Sequence, residues 1–309
     1  MNQKLGDDVR VNACSFEPCP LCGAVNAVAQ PRLAVLLKLE QTARTIVRCE
    51  QCGFRFLSPF LTPEEVDALY NEGNSYFDDY LTVQYDEVVG AKLPYYRELE
   101  GRLSRLAGGR GRMLDLGCAT GNFLAVFKKE GWDVHGAEVS DYCISYAHDH
   151  FGIPVLKGTV ETVDFPPDFF DLVSLNHVLE HVRDPLSVLK RIHRWIKPGG
   201  LFLVEVPNEF NDLVFRFSNE RGRRRMYVSK GPILHHQLFF TPKNLRDALV
   251  RTGWSLVETV TSSWHAPVPC HLFHSPALNK VAQRARKLVV MAGAIVERGE
   301  FIRCVARKS

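Results

Sequence analysis

The sequence predicts an α/β fold in which helices cover both faces of a doubly wound, mostly parallel sheet. From Met113 onward, short apolar strands alternate with helices of about 10–15 residues, an order typical of parallel strands joined by crossover helices. The segment LAGGRGR at 106–112 breaks the chain just before this alternation begins. Residues 1–60 hold five of the nine cysteines, which predicts a separate small module in front of the sheet.

The alternation places seven strands and five helices in order along the chain. Gly131 marks the end of one helix, and Pro198-Gly199-Gly200 marks the end of another. The final strand follows a helix that begins near Pro276, and we expect that strand to run antiparallel at the edge of the sheet. The strands are expected at 112–116, 134–138, 154–158, 171–176, 200–206, 254–261 and 301–308, and the helices at 121–130, 140–151, 185–196, 242–252 and 277–298.

Composition and charge exclude several classes of protein. The 309 residues are 46% hydrophobic and 24% charged, which is ordinary for a globular chain with a sizeable core. A formal net charge of +3 is too small to indicate a nucleic-acid or membrane partner by itself. No apolar run approaches the roughly 18 residues of a membrane span, and the first residues lack the order of a signal peptide. With an odd number of cysteines, we therefore expect a protein of the reducing cytoplasm.

Four cysteines have the spacing of a metal site. Cys19 and Cys22 form one C-x-x-C-G turn, and Cys49 and Cys52 form a second. Two such turns supply the four thiolates that Zn²⁺ prefers in tetrahedral sites, and they leave no open position for chemistry. Redox-active pairs are the alternative, but no thioredoxin-like context surrounds them. We expect a structural zinc ribbon over residues 1–60.

A glycine-rich turn follows the first strand of the predicted sheet. Asp115 precedes Gly117, Ala119 and Gly121 in a strand, a tight turn and a helix start. Their spacing departs from both the dinucleotide fingerprint and the phosphate-binding P-loop. Glu138 ends the next strand, where an acid can accept both hydroxyls of a ribose. The pattern favours a ligand that carries a ribose but needs no phosphate cradle.

These residues resemble a known family. MLDLGCATGNFL is similar to the first motif of class I S-adenosylmethionine-dependent methyltransferases, D-x-G-x-G-x-G, with Ala119 in place of the middle glycine. The cysteine-rich start is similar to that of a bacterial subgroup with an N-terminal zinc ribbon, which itself resembles the ubiquinone-pathway O-methyltransferases. Three more segments agree with the family in order: FFDLVSLNHVLEHVRDP, RWIKPGGLFLVEVPN and HQLFFTPKNLRDALVRTGW, at 169–185, 194–208 and 236–254.

The sequence predicts a domain order, and the resemblance implies a set of cofactor contacts. A helical cap over 61–110 would join the ribbon to a methyltransferase domain over 111–309, with an insertion at 208–240. The cap begins with TPEEVDALYNE, in which Thr62 is a predicted N-cap. The amino-acid end, the ribose and the adenine of S-adenosylmethionine would be held by Asp115, Gly117, Ala119, Gly121, Glu138, Val139, Thr159, Val160, Asn176 and Tyr76.

Three histidines and a glutamate are candidates for chemistry on the acceptor side. His177, Glu180 and His181 are spaced i, i+3 and i+4, so they share one face if this segment is helical. Ubiquinone-type members carry E-x-x-E-H here, which binds a divalent metal, and His177 stands in place of the first glutamate. The alternative is that Glu180 and His181 are structural. His236 and His181 are the candidate bases for deprotonating the acceptor.

The resemblance therefore implies methyl transfer to a hydroxyl of a sugar or another small biosynthetic metabolite. Arg221, Arg223, Arg224 and Arg225 form a basic run that is either a solvated loop or a site for a phosphate-bearing acceptor. An RNA methyltransferase is the alternative enzyme, although the ribbon carries few of the basic residues that nucleic acid requires. A non-catalytic module that binds S-adenosylmethionine is the alternative from another class.

Overall fold

A computed structural model describes residues 16–36, 39, 43–70, 85–211, 236–262, 292–293 and 295–309. Its first elements form a small antiparallel sheet and three helices that lead into the main domain. They are β1 (Ala27–Ala29), α1 (Pro31–Leu36), β2 (Thr45–Cys49), β3 (Arg55–Ser58), α2 (Pro63–Tyr70) and α3 (Tyr85–Ala107).

The following elements alternate strands with helices, as the sequence predicts. They are β4 (Arg112–Leu116), α4 (Asn122–Lys129), β5 (Asp133–Glu138), α5 (Asp141–Phe151), β6 (Val155–Lys157), β7 (Phe170–Asn176), α6 (Pro185–Trp195), β8 (Ile196–Pro207), β9 (Leu238–Phe239), α7 (Pro242–Arg251), β10 (Trp254–Ser262) and β11 (Phe301–Lys308). Of the described helices, none is long and apolar enough to cross a membrane.

The main sheet has seven strands in the order β10-β11-β8-β7-β4-β5-β6. Strands β4 to β8 pair in parallel, whereas β11 is antiparallel to both of its neighbours. The predicted fold class, a doubly wound and mostly parallel seven-stranded sheet, is confirmed.

The last strand runs antiparallel as expected, but its predicted position at the sheet edge is wrong. Strand β11 lies between β8 and β10, and β10 takes the edge. The reason is burial on both faces: Ile302 and Cys304 face one core cluster, and Val305 faces the other. Most of the helix predicted at 277–298 lies outside the described residues.

The strand at 200–206 begins earlier than predicted. Strand β8 starts at Ile196, directly after α6 ends at Trp195, and it includes the Pro198-Gly199-Gly200 turn. Ile196 pairs with Phe170, but the next paired residue is Leu201, opposite Leu172. The proline and glycines therefore bulge out between two paired stretches instead of separating a helix from a strand.

The core lies on both faces of the main sheet because alternate strand residues point to opposite sides. On one face, Met113 and Leu172 pack with α3 and α4, and on the other, Leu114 and Val173 pack with α6 and α7. The apolar core on the α6 and α7 face of the main sheet continues into the N-terminal sheet through Phe54 and Phe56.

The N-terminal sheet is completed by a strand from far along the chain. Its strand order is β1-β2-β3-β9, and β9 pairs through Leu238 opposite Phe56. Arg251 of α7 also donates a hydrogen bond to the carbonyl of Leu21. The small sheet thus includes residues beyond 1–60, and it packs on the same core as the main domain.

The cap segment begins with the predicted helix. The Thr62 hydroxyl accepts a hydrogen bond from the Glu65 N–H, and the Glu65 carboxylate accepts one from the Thr62 N–H at 2.8 Å. This reciprocal pair satisfies two backbone donors at the start of α2.

Candidate functional site

The candidate cofactor residues meet at one edge of the main sheet. Asp115, Glu138 and Asn176 end or nearly end strands β4, β5 and β7, and Thr159 follows β6. Because these strands are parallel, their carboxyl ends lie along the same edge, where ligands bind in doubly wound sheets. The structure therefore brings together the described members of the predicted cofactor set. Tyr76 lies outside the described residues.

Asp115 is buried at the end of β4. Its carboxylate accepts a hydrogen bond of 2.5 Å from the hydroxyl of Ser174 on neighbouring β7. Burial raises the pKa of Asp115 to about 7; the Ser174 hydrogen bond opposes this, and the charge of Glu138 adds to it. A buried carboxyl of this kind is stabilised in its charged form by a cationic ligand.

The turn after β4 requires unusual backbone conformations. Gly117 and Gly121 have φ of +72° and +77°, and Ala119 between them has φ of 48°, a left-handed conformation uncommon for alanine. A Cβ on Gly117 would lie 2.5 Å from a methyl carbon of Val178. The turn therefore lies directly against the loop that follows β7.

Glu138 organises this turn. One carboxylate oxygen accepts a hydrogen bond of 2.9 Å from the N–H of Ala119, and the other accepts hydrogen bonds from the N–H groups of Val139 and Ser140 at 2.7 and 3.1 Å. Its backbone carbonyl also accepts a hydrogen bond from Gly158, just before Thr159. Glu138 is thus joined to the turn after β4 and to the turn of Thr159 and Val160.

A second cluster lies beside this edge, around the buried carboxylate of Glu180. The nearest imidazole nitrogens of His177, His181 and His236 are 3.4, 3.9 and 3.9 Å from its Oε1. His177, Glu180 and His181 lie in turns, not in the helix that would put them on one face. The cluster forms because the turn after β7 folds back toward the segment that leads into β9.

Glu180 is 1% exposed, yet among the described residues neither of its carboxylate oxygens accepts a hydrogen bond of good geometry. Burial alone would raise the pKa of Glu180, but the three imidazoles hold it well below its usual range. A buried anion with unused acceptor capacity indicates a place for a ligand that donates a proton or carries positive charge. Glu180, His181 and His236 offer ligand atoms within 4.8 Å of one another, so they could also hold a cation.

His236 is oriented by a second carboxylate. Its Nδ1 lies 2.9 Å from a carboxylate oxygen of Glu209, which leaves Nε2 directed toward Glu180. Burial lowers the pKa of His236, but Glu209 and Glu180 outweigh burial and raise it. A carboxylate behind an imidazole fixes the ring orientation and increases its basicity.

The sequence did not reveal several polar residues near this cluster. Glu205 of β8 accepts a 2.8 Å hydrogen bond from the Tyr95 hydroxyl, and Arg303 donates to the same hydroxyl. Burial lowers the pKa of His177, but the neighbouring carboxylates of Glu180 and Glu205, at 3.4 and 3.3 Å, outweigh burial and raise it to about 9. An acid within the apolar run LFLVEV was the available signal for Glu205. Tyr95 and Glu209 had no comparable signal.

The four cysteines of the two C-x-x-C-G turns form a candidate metal centre. Their Sγ atoms lie within 4.8 Å of one another, with Cys19 and Cys52 at 3.6 Å and Cys22 and Cys49 at 3.5 Å. A tetrahedral zinc with Zn–S bonds of about 2.3 Å requires S–S separations of about 3.8 Å, so the arrangement fits this ion. The Gly23 and Gly53 N–H groups donate to the carbonyls of Cys19 and Cys49, so both turns have the same backbone form.

The doubly wound sheet, the glycine turn after β4 and the carboxylate at the end of β5 together define a nucleoside-binding protein of the Rossmann-like class. The chain belongs to the methyltransferase domain family, whose model matches residues 92–259. The resemblance to class I S-adenosylmethionine-dependent methyltransferases is thereby confirmed.

Similar proteins include bacterial ubiquinone biosynthesis O-methyltransferases. One from Aliivibrio fischeri (strain MJ11) is 28% identical over 149 residues, which cover 46% of this chain and 63% of that protein. Another from Cereibacter sphaeroides (strain ATCC 17025 / ATH 2.4.3) is 29% identical over 190 residues, 59% of this chain and 70% of that protein. The chain thus matches less than two thirds of the Aliivibrio protein.

Solved structures show the same fold at low identity. An S-adenosylmethionine-dependent methyltransferase from Thermotoga maritima superposes with a TM-score of 0.51 at 19% identity, covering 75% of this chain and 98% of that one. A Listeria monocytogenes protein described in the same way has a TM-score of 0.50 at 14% identity, covering 71% and 99%. At these identities the likeness concerns the fold alone.

Proposed function

We propose that the protein transfers a methyl group from S-adenosylmethionine to a hydroxyl oxygen of a small molecule, such as a sugar or another biosynthetic metabolite. The observation that carries this proposal is the contact between two sites. The glycine turn packs on Val178, which lies between His177 and Glu180. A cofactor held at the turn would therefore lie beside a carboxylate–imidazole cluster that can accept a proton.

Methyl transfer is an in-line displacement at a carbon that the sulfonium already activates. The acceptor oxygen forms a bond to the methyl carbon, the carbon–sulfur bond breaks, and S-adenosylhomocysteine leaves. The protein must align the two reactants and remove the hydroxyl proton. His236 takes this proton at Nε2, and Glu180 stabilises the imidazolium that forms. The carboxylate oxygens of Glu180, which have no hydrogen-bond partner in the described part of the chain, can accept a hydrogen bond from the neutral hydroxyl of the acceptor.

In the proposed binding mode, the cofactor follows the ends of the strands. The carboxylate of Asp115 and the backbone of Gly117 and Gly121 hold the amino-acid end. Glu138 accepts from the ribose hydroxyls with its remaining lone pairs. Val139, Thr159 and Val160 surround the adenine, Asn176 lies near the methionine carbons, and Ala119 lines the turn.

Binding and turnover distinguish this function from its alternatives. Calorimetry with S-adenosylmethionine should show one site per chain, and radiolabelled cofactor should transfer its methyl group to a phenol, a sugar or a nucleotide-linked sugar in a panel. Methylation of a transcribed RNA in preference to every small molecule would favour the RNA enzyme. Cofactor binding with no transfer to any acceptor would favour the non-catalytic module. The basic run 221–225, which lies outside the described residues, is proposed to matter only for phosphate-bearing acceptors.

Replacing Glu138 with alanine should weaken S-adenosylmethionine binding by about 1.5–3 kcal/mol. The change removes charge-assisted hydrogen bonds to the ribose and also releases the Ala119 N–H that shapes the turn. Titration calorimetry measures the effect. Glu161→Ala, which removes an exposed carboxylate from the neighbouring turn, is the control and should leave the affinity unchanged. Equal affinities for all three proteins would place the ribose elsewhere.

Cofactor affinity should depend on pH through Asp115. Because the folded pKa of Asp115 is about 7, this carboxyl is largely protonated in the unliganded protein below that pH. An ionised Asp115 is needed to meet the ammonium group, so affinity should rise about tenfold per pH unit below pH 7 and level off above it. Asp115→Asn should bind S-adenosylmethionine weakly, and its affinity should not depend on pH in this way.

The burial of Asp115 also affects stability. Without cofactor, the free energy of unfolding should fall as pH rises from about 4 to 7, because the folded protein holds a proton on this carboxyl that the unfolded chain has lost.

A further inference from the structure

Gln237 lies between the N-terminal sheet and the Glu180 cluster and is hydrogen-bonded to both. It is 1% exposed. Toward the N-terminal sheet, its side-chain oxygen accepts a 2.8 Å hydrogen bond from the Leu61 N–H, and its backbone carbonyl accepts one of 2.8 Å from the Leu57 N–H. The residue therefore fixes both the end of β3 and the chain that leaves it.

The other bonds of Gln237 point to the cluster. Its backbone N–H and that of Leu238 donate to the carbonyl of Glu180 at 2.9 and 3.0 Å, and its side-chain nitrogen donates to the carbonyl of His181 at 2.7 Å. His236 is the preceding residue in the chain. One buried glutamine thus sets the backbone position of all three groups that face one another across the cluster.

Two of the four cysteines lie at the turn of the β2–β3 hairpin, at the opposite end from Leu57. Cys49 ends β2, and Cys52 lies in the turn that leads to β3. A metal held by the thiols would fix this turn against Cys19 and Cys22, and through it the register of β3. Strand β3 pairs with β9, so a change in the hairpin reaches Gln237 through Leu57 and Leu238.

We infer that Gln237 is a positioning residue through which metal occupancy of the four-cysteine site controls the geometry of the Glu180–His181–His236 cluster. That the cluster is catalytic rests on the proposed function, but the coupling can be tested without it. The coupling is energetic and therefore reciprocal: rearranging the cluster should also change how tightly the thiols hold zinc. The N-terminal sheet is then a regulating part of the acceptor site and not only an added module.

Two substitutions separate the bonds of Gln237. Gln237→Leu removes both side-chain hydrogen bonds at similar volume. Gln237→Glu keeps an acceptor for the Leu61 N–H but replaces the donor to the His181 carbonyl, so it removes the side-chain link to the cluster and leaves the backbone hydrogen bonds to Glu180 in place. Asn244→Leu is the matched control, because Asn244 donates to the Cys52 carbonyl and makes no hydrogen bond to the cluster.

The experiment compares zinc-loaded and chelator-treated full-length protein by NMR of ¹⁵N-labelled histidine side chains. In the wild type and in Asn244→Leu, zinc removal should shift the resonances of His181 and His236. In Gln237→Glu and Gln237→Leu these shifts should largely disappear. In the Gln237 variants, the rate of zinc release to a chelator should rise at least about fivefold, the lower end of ordinary coupling factors.

Two results would overturn the inference: equal zinc-dependent shifts in wild type and Gln237→Glu, or no shift on zinc removal in the wild type. Calorimetry with S-adenosylmethionine is run on the same samples. Gln237 makes no hydrogen bond to Asp115 or Glu138, so the variants should bind the cofactor within twofold of wild type. A wild type that fails to bind cofactor would contradict the proposed function while leaving the zinc-dependent histidine shifts to decide the coupling.

Discussion

Cys19→Ser and Cys49→Ser are each expected to abolish stoichiometric zinc binding and to destabilise the N-terminal sheet. Wild-type protein should purify with one zinc per chain, because the four thiols are placed for tetrahedral coordination. Binding free energy at structural zinc sites, about 10–16 kcal/mol in small zinc-finger peptides, is largely folding free energy. Loss of one ligand therefore removes part of the free energy that stabilises the N-terminal sheet. Elemental analysis and limited proteolysis measure the two effects.

The control for this prediction is Cys143→Ser. Cys143 is also buried and also a free cysteine, but it lies in α5, away from the four thiols. This variant should keep its zinc and its resistance to proteolysis near residues 16–60. Freshly purified wild-type protein without zinc would contradict the prediction outright, and a zinc-containing Cys49→Ser protein would show that three thiols suffice.

The second large effect is expected from His236→Ala, which should lower kcat by about 10²–10⁴-fold if His236 takes the acceptor's proton. KM should change little, because a base acts in the transition state and contributes little to ground-state binding. The assay uses the first acceptor found in the radiolabel screen. His148→Ala, which removes an exposed imidazole from α5, should have no effect. Normal kcat in His236→Ala would leave His181 as the base, or would show that no base is needed.

The pH profile tests the same role independently. Since Glu209 and Glu180 raise the pKa of His236, this imidazole must lose a proton before it can serve as a base, and kcat should rise with pH through that pKa. Glu209→Gln removes one of the two charges that raise the pKa, so the rising limb should move to lower pH. If the rising limb of the Glu209→Gln profile stays at the wild-type pH, the group that titrates is not His236.

The fold was largely predictable because hydrophobic periodicity, glycine turns and the first motif all report on local backbone structure. The four-cysteine spacing was equally informative, since two C-x-x-C-G turns determine where their thiols point. The position of β11 was not predictable in the same way. Strand order depends on which neighbour buries Val305 and Cys304, and this information is spread over two distant segments.

The candidate site was predictable in its parts but not in its connections. Glu180, His181 and His236 were all recognised, but they come together through turns and not through a shared helical face. Glu209 and Gln237, the side chains that orient them, could not be recognised from the sequence. A single polar residue near a motif looks the same in the sequence as an exposed polar residue without a role. Burial and partner geometry, which the sequence does not encode locally, distinguish them.

The strand β9 has a consequence for how this protein emerges from the ribosome. Its Leu238 pairs with Phe56, a residue synthesised about 180 positions earlier. At about 5–20 residues per second, translation takes about 10–40 s to cover that distance. Throughout this interval the edge of β3 in the nascent β2–β3 hairpin has no partner strand. Gln237, which later joins the hairpin to the Glu180 cluster by hydrogen bonds, has not yet been synthesised. The first part of the chain to be synthesised is therefore among the last to be completed.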